Sequence, residues 1–450
     1  ILSPVTFSPI ISATKAIKMR IFLGLGANLG DRSGNLSRAL ELLDSKPLRI
    51  RRISPVVESP ALLPNSAPAD WNRPFFNLVV ECETDASPEA CLQWIETIHV
   101  TMKRCDAALW APRPIDIDIL LWGREQIHTD ELTIPHPSMH KRSFVLTPLI
   151  ALDPRITIPG LGDKSLLEWS RKLKQYLPLW MGIVNVTPDS FSDGSKRQTW
   201  DDFKPDVDAM IDAGAHIIDV GGESTRPGGE AISAEVEWQR IEPVISELVA
   251  RRQRSLLAPL ISVDSYHAKT IERALALGVN IINDVTGLTS PEILELAKTS
   301  NTDWIAMHSI SVPVEPKQHL PVSADGYREV EDELLRRLEI WDKAGLDLSR
   351  IIFDPGIGFG KNNLQSLRIL ESAGNLRKHG LRVLVGHSRK SFLNQLTGTK
   401  ISEKDLATLG ISLKLCEQGV DILRVHNMQI HTAGYRGWSH VKPTHRPDSD

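Results

Sequence analysis

Two aspartates in the first third of the chain, Asp116 and Asp118, have a spacing that suits metal-assisted phosphate chemistry. They belong to the run Arg-Pro-Ile-Asp-Ile-Asp at 113–118, which has the pattern of a strand. Alternate residues of a strand point to the same face, so the two carboxylates would repel each other unless a cation lay between them. Magnesium accepts a few carboxylates and leaves its other positions to phosphate oxygens. The pair therefore predicts a magnesium–phosphate site, although a solvated polar strand face would show the same spacing.

Aromatic and basic residues on both sides of this strand favour the metal-site interpretation. Trp110 and Arg113 precede the two aspartates, and His136, Arg142 and Phe144 follow them. Guanidinium and imidazole groups suit the charge of a polyphosphate, and the rings offer flat surfaces to a heterocycle. These neighbours therefore favour a metal–phosphate site over a solvated polar strand face.

Polar residues also recur in the second part of the chain, where short apolar segments end. They are Asn185, Asp219, Asp264, Asn283 with Asp284, His308, Asp354, the run Ser388–Lys390, and Arg424 with His426. A single residue of this kind often caps a helix or satisfies a strand end, but polar residues at every such end are not expected by chance. We expect them to form a site for a ligand with anionic and amide-like groups.

The elements that must position these residues fall into two modules. Over 20–155 the pattern predicts strands at 20–25, 49–58, 75–83 and 115–122 and helices near 33–43 and after Ser87, in the order β-α-β-β-α-β of an α+β ferredoxin-like layer. From residue 180 a short apolar strand followed by a helical segment recurs eight times, which predicts an α/β (β/α)8 TIM barrel. The predicted barrel strands are 182–186, 216–220, 260–263, 280–285, 304–307, 350–353, 382–385 and 421–425. Active sites of such barrels lie at the carboxyl ends of the strands, where the polar residues occur.

Composition indicates a globular two-domain protein without general affinity for nucleic acid or membranes. The 450 residues are 41% hydrophobic and 24% charged, with a formal net charge of −4. The cysteines 82, 91, 105 and 416 form no Cys-x-x-Cys pair, and no apolar run approaches the ~18 residues of a membrane span. We therefore expect buried thiols in a cytoplasmic protein. Residues 1–18 contain lysines and no acidic residue, and a disordered extension is favoured there over a transit remnant.

Several runs of the second module resemble signature segments of dihydropteroate synthases. They are Met-Gly-Ile-Val-Asn-Val-Thr-Pro-Asp-Ser-Phe-Ser-Asp-Gly at 181–194, Asp-Val-Gly-Gly-Glu-Ser-Thr-Arg-Pro-Gly at 219–228, Phe-Asp-Pro-Gly-Ile-Gly-Phe-Gly-Lys at 353–361, Gly-His-Ser-Arg-Lys-Ser at 386–391 and Arg-Val-His at 424–426. The resemblance covers residues 180–436. It implies that pyrophosphate leaves the methylene of a pterin as the amine of p-aminobenzoate attacks.

This resemblance also implies roles for single residues. Asp264, Asn283, Asp354 and Lys390 would bind the pterin, with catalytic Lys390 near the ring carbonyl and N5. A carboxylate at Asp354 can accept two N–H groups from the 2-amino-4-oxo edge of a pterin, which agrees with this role. The remaining implied residues are Asn185 as a magnesium ligand, Arg424 with His426 as the anion site, Ser388 with Arg389 for the p-aminobenzoate carboxylate, and substrate-binding Thr225 with catalytic Arg226 on a mobile loop.

The first module resembles 6-hydroxymethyl-7,8-dihydropterin pyrophosphokinases over residues 20–155. The resemblance implies pyrophosphoryl transfer from ATP to the pterin hydroxyl, with two magnesium ions held by Asp116 and Asp118. The other implied contacts are Arg113, His136 and Arg142 for the phosphates, Glu96 and Trp110 for the nucleotide, and Asn77 and Phe144 for the pterin. The stretch 101–109 has fewer basic residues than in the family, and Arg104 is the best candidate for its ATP-contacting arginine.

Together the two resemblances predict how the whole chain is organised. The predicted parts are an extension at 1–19, a kinase domain at 20–155, a linker at 156–179, a synthase barrel at 180–440 and a tail at 441–450. The expected ligands are Mg²⁺, ATP, a dihydropterin and p-aminobenzoate, and the barrel is expected to support a homodimer. A pterin-binding methyltransferase barrel and a non-catalytic scaffold remain alternatives. The Ser-Thr-Arg-Pro-Gly and Ser-Arg-Lys runs disfavour the first, and the retention of the metal and anion residues disfavours the second.

Overall fold

The computed structural model describes residues 18–104, 110–173, 175–187, 199–224, 231–312, 315 and 318–441, which form two modules. The strands of the first sheet are β1 (Met19–Ala27), β2 (Leu48–Ile53), β3 (Val57–Ser59), β4 (Phe75–Thr84) and β5 (Asp116–Trp122). They are antiparallel in the order β2-β4-β1-β5, and β3 also pairs with β4. The single strand predicted at 49–58 is two short strands, because Pro55 between them has no N–H to donate to a ladder.

Two helices, α1 (Arg32–Asp44) and α2 (Pro88–Thr101), complete the predicted β-α-β-β-α-β order and confirm the ferredoxin-like layer. The Asp31 side chain caps α1 by accepting from the Gly34 N–H at 3.0 Å. Ser87 caps α2 in the same way, with Pro88 in the first helical position, as the sequence predicts. Both helices pack on one face of the sheet, against alternate residues of β1 such as Ile21 and Leu23.

The opposite face of the sheet packs against a layer whose strands and first helix the sequence analysis missed. The short strands β6 (Ile127–His128) and β7 (Thr133–Ile134) lead to α3 (Ser143–Leu152), and α4 (Leu166–Ser170) follows. Phe22 of β1 lies in the apolar cluster formed with α3 and α4. The α3 segment is almost wholly apolar and contains Pro148, so it has no amphipathic period that would reveal a helix.

The second module is a closed barrel of eight parallel strands, which confirms the predicted TIM barrel. Its strands are β8 (Leu179–Asn185), β9 (Ile217–Gly221), β10 (Leu260–Asp264), β11 (Ile281–Asp284), β12 (Asp303–Met307), β13 (Ile351–Asp354), β14 (Arg382–Val385) and β15 (Ile422–Val425). The strand ends shift by a few residues from the prediction. Pairing of β15 with β8 closes the barrel, with Arg424 opposite Met181.

Helices alternate with these strands around the barrel. They are α5 (Trp200–Asp212), α6 (Ala234–Arg254), α7 (Ala268–Leu277), α8 (Pro291–Thr299), α9 (Gly326–Ala344), α10 (Asn363–Ser372), α11 (Asn394–Thr397), α12 (Ile401–Glu417) and α13 (Met428–Val441). Strands and helices share one large apolar core. None of the helices in the described ranges is long and apolar enough to cross a bilayer.

Buried polar contacts join the connecting segment to the barrel. The Tyr176 hydroxyl donates to Asp421 at 2.8 Å, and Arg377 forms two bonds of 2.9 Å with the same carboxylate. This ion pair is almost completely buried, so its partners must compensate each other. Val57 of the first module lies in the barrel core cluster, and Arg436 pairs with Glu58 at 3.3 Å. The two modules are therefore packed together and not merely linked.

Candidate active sites

The two aspartates of β5 lie on the same face of the strand, as their spacing predicts. In the antiparallel ladder Asp116 is opposite Gly26 and Asp118 is opposite Gly24 of β1. Ile117 between them is buried in the core on the other face. The small residues on β1 leave the space above the two carboxylates free of side chains from that strand.

Arginines surround Asp116 in this structure. Arg104 lies 2.8 Å from Asp116 Oδ1, and Arg113 lies 3.2 Å from Oδ2. Arg113 is therefore brought to the metal candidates as predicted. Arg104 forms an ion pair with the Asp116 carboxylate. Residues 105–109, which complete the stretch with few basic residues, lie outside the described residues.

The second aspartate, Asp118, has the electrostatics of a cation site. Burial, together with the negative charge of Asp116, raises the pKa of the Asp118 carboxyl to about 6. Two neighbouring carboxylates on one strand face are a donor set that suits a hard divalent cation. The residues present therefore fit Mg²⁺, which Asp116 and Asp118 would hold against phosphate oxygens.

The residues predicted to contact phosphates converge on this pair. His136 Nε2 lies 4.0 Å from Asp118 Oδ2. The positive charge of Arg142 partly offsets the rise in the pKa of Asp118. Burial and the neighbouring Arg142 lower the pKa of His136 to about 4, so its ring is neutral at pH 7. The Arg142 guanidinium also lies 5.9 Å from the centre of the Phe144 ring.

The remaining predicted residues of this site have different environments. Asn77 is buried on β4, and its amide donates to Ser59 at 3.0 Å. Phe144 is partly buried and packs against the core clusters of both modules. Trp110 is 38% exposed with a positive φ of 94°, and Glu96 lies on the exposed side of α2. The structure gives neither Trp110 nor Glu96 a contact with the aspartate pair.

Two residues that the sequence analysis missed hold the strand that carries the aspartates. Asn28 is buried, and its Oδ1 accepts from the Arg113 N–H at 2.8 Å. His99 Nε2 accepts from the Ile117 N–H at 3.1 Å, and the Arg104 guanidinium contacts the same ring. Asn28 stands in the glycine-rich turn after β1, but nothing in its spacing indicates a partner 85 residues away.

At the carboxyl end of the barrel, Arg424 lies between two carboxylates. Its Nε donates to Asp219 and its Nη2 donates to Asp264, both at 2.6 Å. Asn283 also donates to Asp219, at 3.2 Å. Asp219 is completely buried, so it fixes the direction of the Asn283 amide and leaves the Asn283 carbonyl free to face a ligand.

Burial raises the pKa of Asp264 to about 7, although Arg424 opposes the shift. Burial also raises the pKa of Asp354, whose Oδ1 accepts from the Gly356 N–H at 2.8 Å. A small pocket opens between these groups. It is lined by Asp264, Asn283, Val285, Met307, Asp354, Gly356, Ile357, Phe359, Gly386, Lys390 and Arg424.

This lining brings together every residue predicted to bind the pterin. The Lys390 Nζ lies 4.3 Å from the centre of the Phe359 ring, at the mouth of the pocket. A Cβ added at Gly386 would meet Asp354 at 3.6 Å and Arg424 at 3.9 Å, so glycine there preserves the space between the two. The pocket offers carboxylates, an amide and cations beside the apolar side chains of Val285, Met307, Ile357 and Phe359, which suits a flat heterocycle rich in N–H groups.

The residues predicted for the p-aminobenzoate carboxylate turn toward the protein. Ser388 Oγ accepts from the His426 N–H at 3.2 Å and lies 3.0 Å from its Nδ1. The guanidinium of Arg389 forms two bonds with Asp405, of 2.6 and 2.8 Å. Only Nη1 of Arg389 has no bond to Asp405, so the carboxylate would meet at most part of the guanidinium fork.

Other predicted residues of this site can be placed only in part. Asn185 ends β8, where it pairs in register with Gly221. The predicted residues Thr225 and Arg226 lie outside the described residues. His308 and Asp284 are buried at strand ends, and Asp284 accepts from the Thr286 and Leu288 N–H groups, which is a structural role.

Family comparisons agree with this division of the chain. Residues 22–154 match the model of the 7,8-dihydro-6-hydroxymethylpterin-pyrophosphokinase family. Residues 181–426 match the model of the pterin binding enzymes. The two matches cover the two sets of residues described above.

Several relatives are similar over nearly the whole chain. The folate synthesis bifunctional protein of Chlamydia caviae is 34% identical over 91% of this chain and 95% of its own length. That of Chlamydia muridarum is 35% identical with the same coverage. The mitochondrial folate synthesis bifunctional protein of Arabidopsis thaliana is 32% identical over 91% of this chain and 80% of its length.

Solved structures of dihydropteroate synthases are similar to part of this chain. Dihydropteroate synthase from Xanthomonas albilineans, solved with 4-aminobenzoic acid, covers 59% of this chain and 93% of its own, with 34% identity and a TM-score of 0.53. The Anaplasma phagocytophilum enzyme, solved with 6-hydroxymethylpterin-monophosphate, covers 59% of this chain and 99% of its own, with 34% identity and a TM-score of 0.53.

Proposed function

The chain belongs to the family of bifunctional folate synthesis proteins, and we propose that the residues described above carry its two consecutive reactions. The first module transfers pyrophosphate from ATP to 6-hydroxymethyl-7,8-dihydropterin. The barrel condenses the product with p-aminobenzoate to give 7,8-dihydropteroate and pyrophosphate. One observation carries the assignment of sites: each module gathers its own charged cluster, the Asp116–Asp118 pair in one and the Asp219–Arg424–Asp264 bridge in the other.

In the first module, Asp116 and Asp118 would hold Mg²⁺, which would supply positive charge against the triphosphate. Arg113 and Arg142 bind the phosphates, and the neutral His136 ring donates a hydrogen bond without adding charge. Arg104, which pairs with Asp116 at 2.8 Å, would contact the nucleotide. Trp110 and Glu96 flank the nucleotide.

The pterin of this first reaction is held by Asn77 and Phe144. The Asn77 amide bonds the edge of the ring, and the Phe144 ring stacks on its face. Asn77 is buried, and Phe144 is partly buried against the barrel core cluster.

In the barrel, Asp354 accepts two N–H groups from the pterin edge, and Asn283 presents its carbonyl because Asp219 holds its amide. Lys390 donates to the ring carbonyl and N5. As the C–O bond to pyrophosphate breaks, Arg424, His426 and Arg226 stabilise the departing charge, and a magnesium ion held by Asn185 would add to this stabilisation. The amine of p-aminobenzoate then attacks the cation-like methylene and loses a proton to water.

The carboxylate of p-aminobenzoate binds beside the Ser388–Lys390 run. Ser388 contributes through His426, and Arg389 contributes the part of its guanidinium that Asp405 does not occupy. Thr225 borders the same subsite. The amine is thereby directed toward the pterin methylene, which supplies the positioning that a reaction without a strong base requires.

The two sites have no common pocket among the described residues. The kinase module meets the barrel at the amino-terminal ends of the strands, where a cavity is lined by Ser59, Phe76, Trp180, His216 and Tyr435. The pterin pocket of the barrel lies at the opposite, carboxyl ends. We infer that the pyrophosphorylated pterin leaves the first site before it enters the second.

Wider features of the protein follow from the same assignment. The domain boundaries are 20–155 for the kinase and 180–440 for the synthase, with 156–179 as the linker. ATP and Mg²⁺ are used in the first step, the compartment is the cytoplasm, and the barrel forms a homodimer. The matched ranges 22–154 and 181–426 support the boundaries.

Half-reaction assays test the proposed sites. With ATP and 6-hydroxymethyl-7,8-dihydropterin, the purified chain should form AMP only when Mg²⁺ is present. With pre-made pterin pyrophosphate and p-aminobenzoate, it should release pyrophosphate without ATP. AMP formation that survives removal of divalent metal by a chelator would contradict the role given to Asp116 and Asp118.

A further inference from the structure

Three metal-ligand side chains meet beside the pterin pocket, outside the sites described above. They are Glu223, which follows β9, Glu237 in the first turn of α6, and His267, which immediately precedes α7. One ligand atom of each lies within 4.8 Å of the other two. These residues bring together three elements that are distant in sequence.

The three side chains of the cluster are largely buried. The side chains of Glu223 and His267 are 3% and 20% exposed, and Glu237 is 1% exposed. Two carboxylates this close in a buried site repel each other unless a proton or a cation lies between them. Burial raises the pKa of Glu237, and the charge of Glu223 adds a smaller contribution, while hydrogen bonds and the charge of His267 oppose the rise.

A separate observation points to a missing ligand at Glu237. Its Oε1 is buried and accepts no well-formed hydrogen bond among the described residues, because the nearby Thr270 hydroxyl, which lowers the pKa of Glu237, donates to the Ala234 carbonyl at 3.3 Å. Its Oε2 accepts from the Ser265 hydroxyl at 2.6 Å. A buried carboxylate oxygen without a donor is costly, and such atoms are rare in folded proteins. Coordination of a cation would satisfy it.

Neighbouring hydroxyl groups donate hydrogen bonds to the two carboxylates, as residues that orient metal ligands commonly do. Tyr266 donates to Glu223 Oε1 at 2.6 Å, in parallel with the Ser265 bond to Glu237. Glu223 Oε2 and His267 Nε2 are 2.8 Å apart. Two ligands on one tetrahedral zinc ion, each about 2.0–2.1 Å from the metal, are about 3.4 Å apart, so a small rotation of His267 would admit the ion.

We propose that Glu223, Glu237 and His267 form a binding site for a divalent transition metal of the zinc type. An imidazole nitrogen with two carboxylates suits Zn²⁺, Co²⁺ or Mn²⁺, while Mg²⁺ and Ca²⁺ take oxygen ligands. The ion would tie the end of β9 to the starts of α6 and α7. Its expected effect is to stabilise this rim of the barrel, independently of the magnesium ions used in the two reactions.

Cobalt binding to the full-length chain tests the site, because Co²⁺ in a four- or five-coordinate site with a nitrogen ligand absorbs visible light. The chain is freed of metal with a chelator, and Asp116→Asn is present throughout to weaken the kinase metal site. We expect one equivalent of Co²⁺ to give visible bands that Zn²⁺ abolishes, and to raise the midpoint of thermal unfolding. His267→Ala and Glu237→Gln should each lose both signals.

His379 provides a matched control on another part of the barrel. Its Nε2 lies 2.9 Å from Glu331, which also accepts from the Tyr327 hydroxyl at 3.1 Å. His379, Glu331 and Tyr327 thus make the same kinds of contact as His267, Glu223 and Tyr266. They lack a second carboxylate, and among the described residues the group that could hold a metal ion is Glu223, Glu237 and His267. His379→Ala should retain the full cobalt signal.

Two results would overturn the proposal. One is the absence of visible bands and of any thermal shift when Co²⁺ is added to the parent chain. The other is a signal that His267→Ala and Glu237→Gln leave unchanged. Should His267→Ala fail to fold by circular dichroism, Glu237→Gln decides alone, because its amide keeps the contact with Ser265 while it removes the charge.

Discussion

Replacement of Arg424 by glutamine perturbs the centre of the synthase site. The guanidinium makes bonds of 2.6 Å with both Asp219 and Asp264, and Asp219 also holds Asn283. Glutamine retains part of the side-chain volume but removes the positive charge. The change therefore leaves two buried carboxylates facing each other and withdraws a cation from the leaving pyrophosphate.

The structure sets the size of the two effects. Breaking a buried ion pair costs about 3–5 kcal/mol. We expect about 3 kcal/mol here, because Arg424 is 18% exposed and Asp264, with a pKa of about 7, can take up a proton. Loss of one well-placed contact to developing negative charge lowers kcat about 10²- to 10³-fold.

The experiment measures both activities and the unfolding of Arg424→Gln. Synthase activity is assayed with pre-made pterin pyrophosphate and p-aminobenzoate, and kinase activity serves as an internal control for folding. We expect the kcat of condensation to fall about 10²- to 10³-fold and the free energy of unfolding to fall by about 3 kcal/mol. The rate of AMP formation should stay within about twofold of the parent. Condensation that remains within a factor of about two would refute the role of this bridge.

Four further outcomes follow from the same geometry. Asp116→Ala should abolish ATP-dependent pterin activation and leave condensation intact, and Lys390→Ala should do the reverse; equal loss of both activities in either variant would contradict separate sites. The KM for pterin pyrophosphate should rise as pH falls through about 7, because the raised pKa of Asp264 lets it protonate and stop accepting N–H groups, and Asp264→Asn should remove this dependence. In the free protein the same group opposes folding once ionised, so its contribution to stability is full below pH ~4 and lost as pH rises through about 7. Asp405→Ala should raise the KM for p-aminobenzoate more than it lowers kcat, because Arg389 loses the partner that orients it, and an unchanged KM would count against this.

Strand periodicity and local motifs predicted much of the fold. The alternation Asp-Ile-Asp was enough to place Asp116 and Asp118 on one face, because side-chain direction in a strand depends only on local geometry. The polar ends of the barrel strands were predicted for the same reason, since every parallel strand brings its carboxyl end to one rim. The α3 helix was missed because an almost wholly apolar segment gives no helical period.

Contacts between distant segments could not be predicted in the same way. The Ser388–Lys390 run resembles a substrate site, but the sequence does not reveal that Arg389 has a φ of +56° and turns to Asp405 on α12. The bonds from Asn28 to Arg113 and from His99 to Ile117 also join residues on different elements. Their detection requires the packing of the elements and not only their order.

A coupled assay on the purified parent chain tests whether this one chain carries out both reactions. It contains ATP, Mg²⁺, 6-hydroxymethyl-7,8-dihydropterin and labelled p-aminobenzoate, and the labelled dihydropteroate is measured. We expect product that requires both ATP and p-aminobenzoate, and that disappears when either Asp116→Ala or Lys390→Ala is introduced. The assignment of the two reactions would be contradicted if the parent chain formed no product from these substrates and also none from pre-made pterin pyrophosphate.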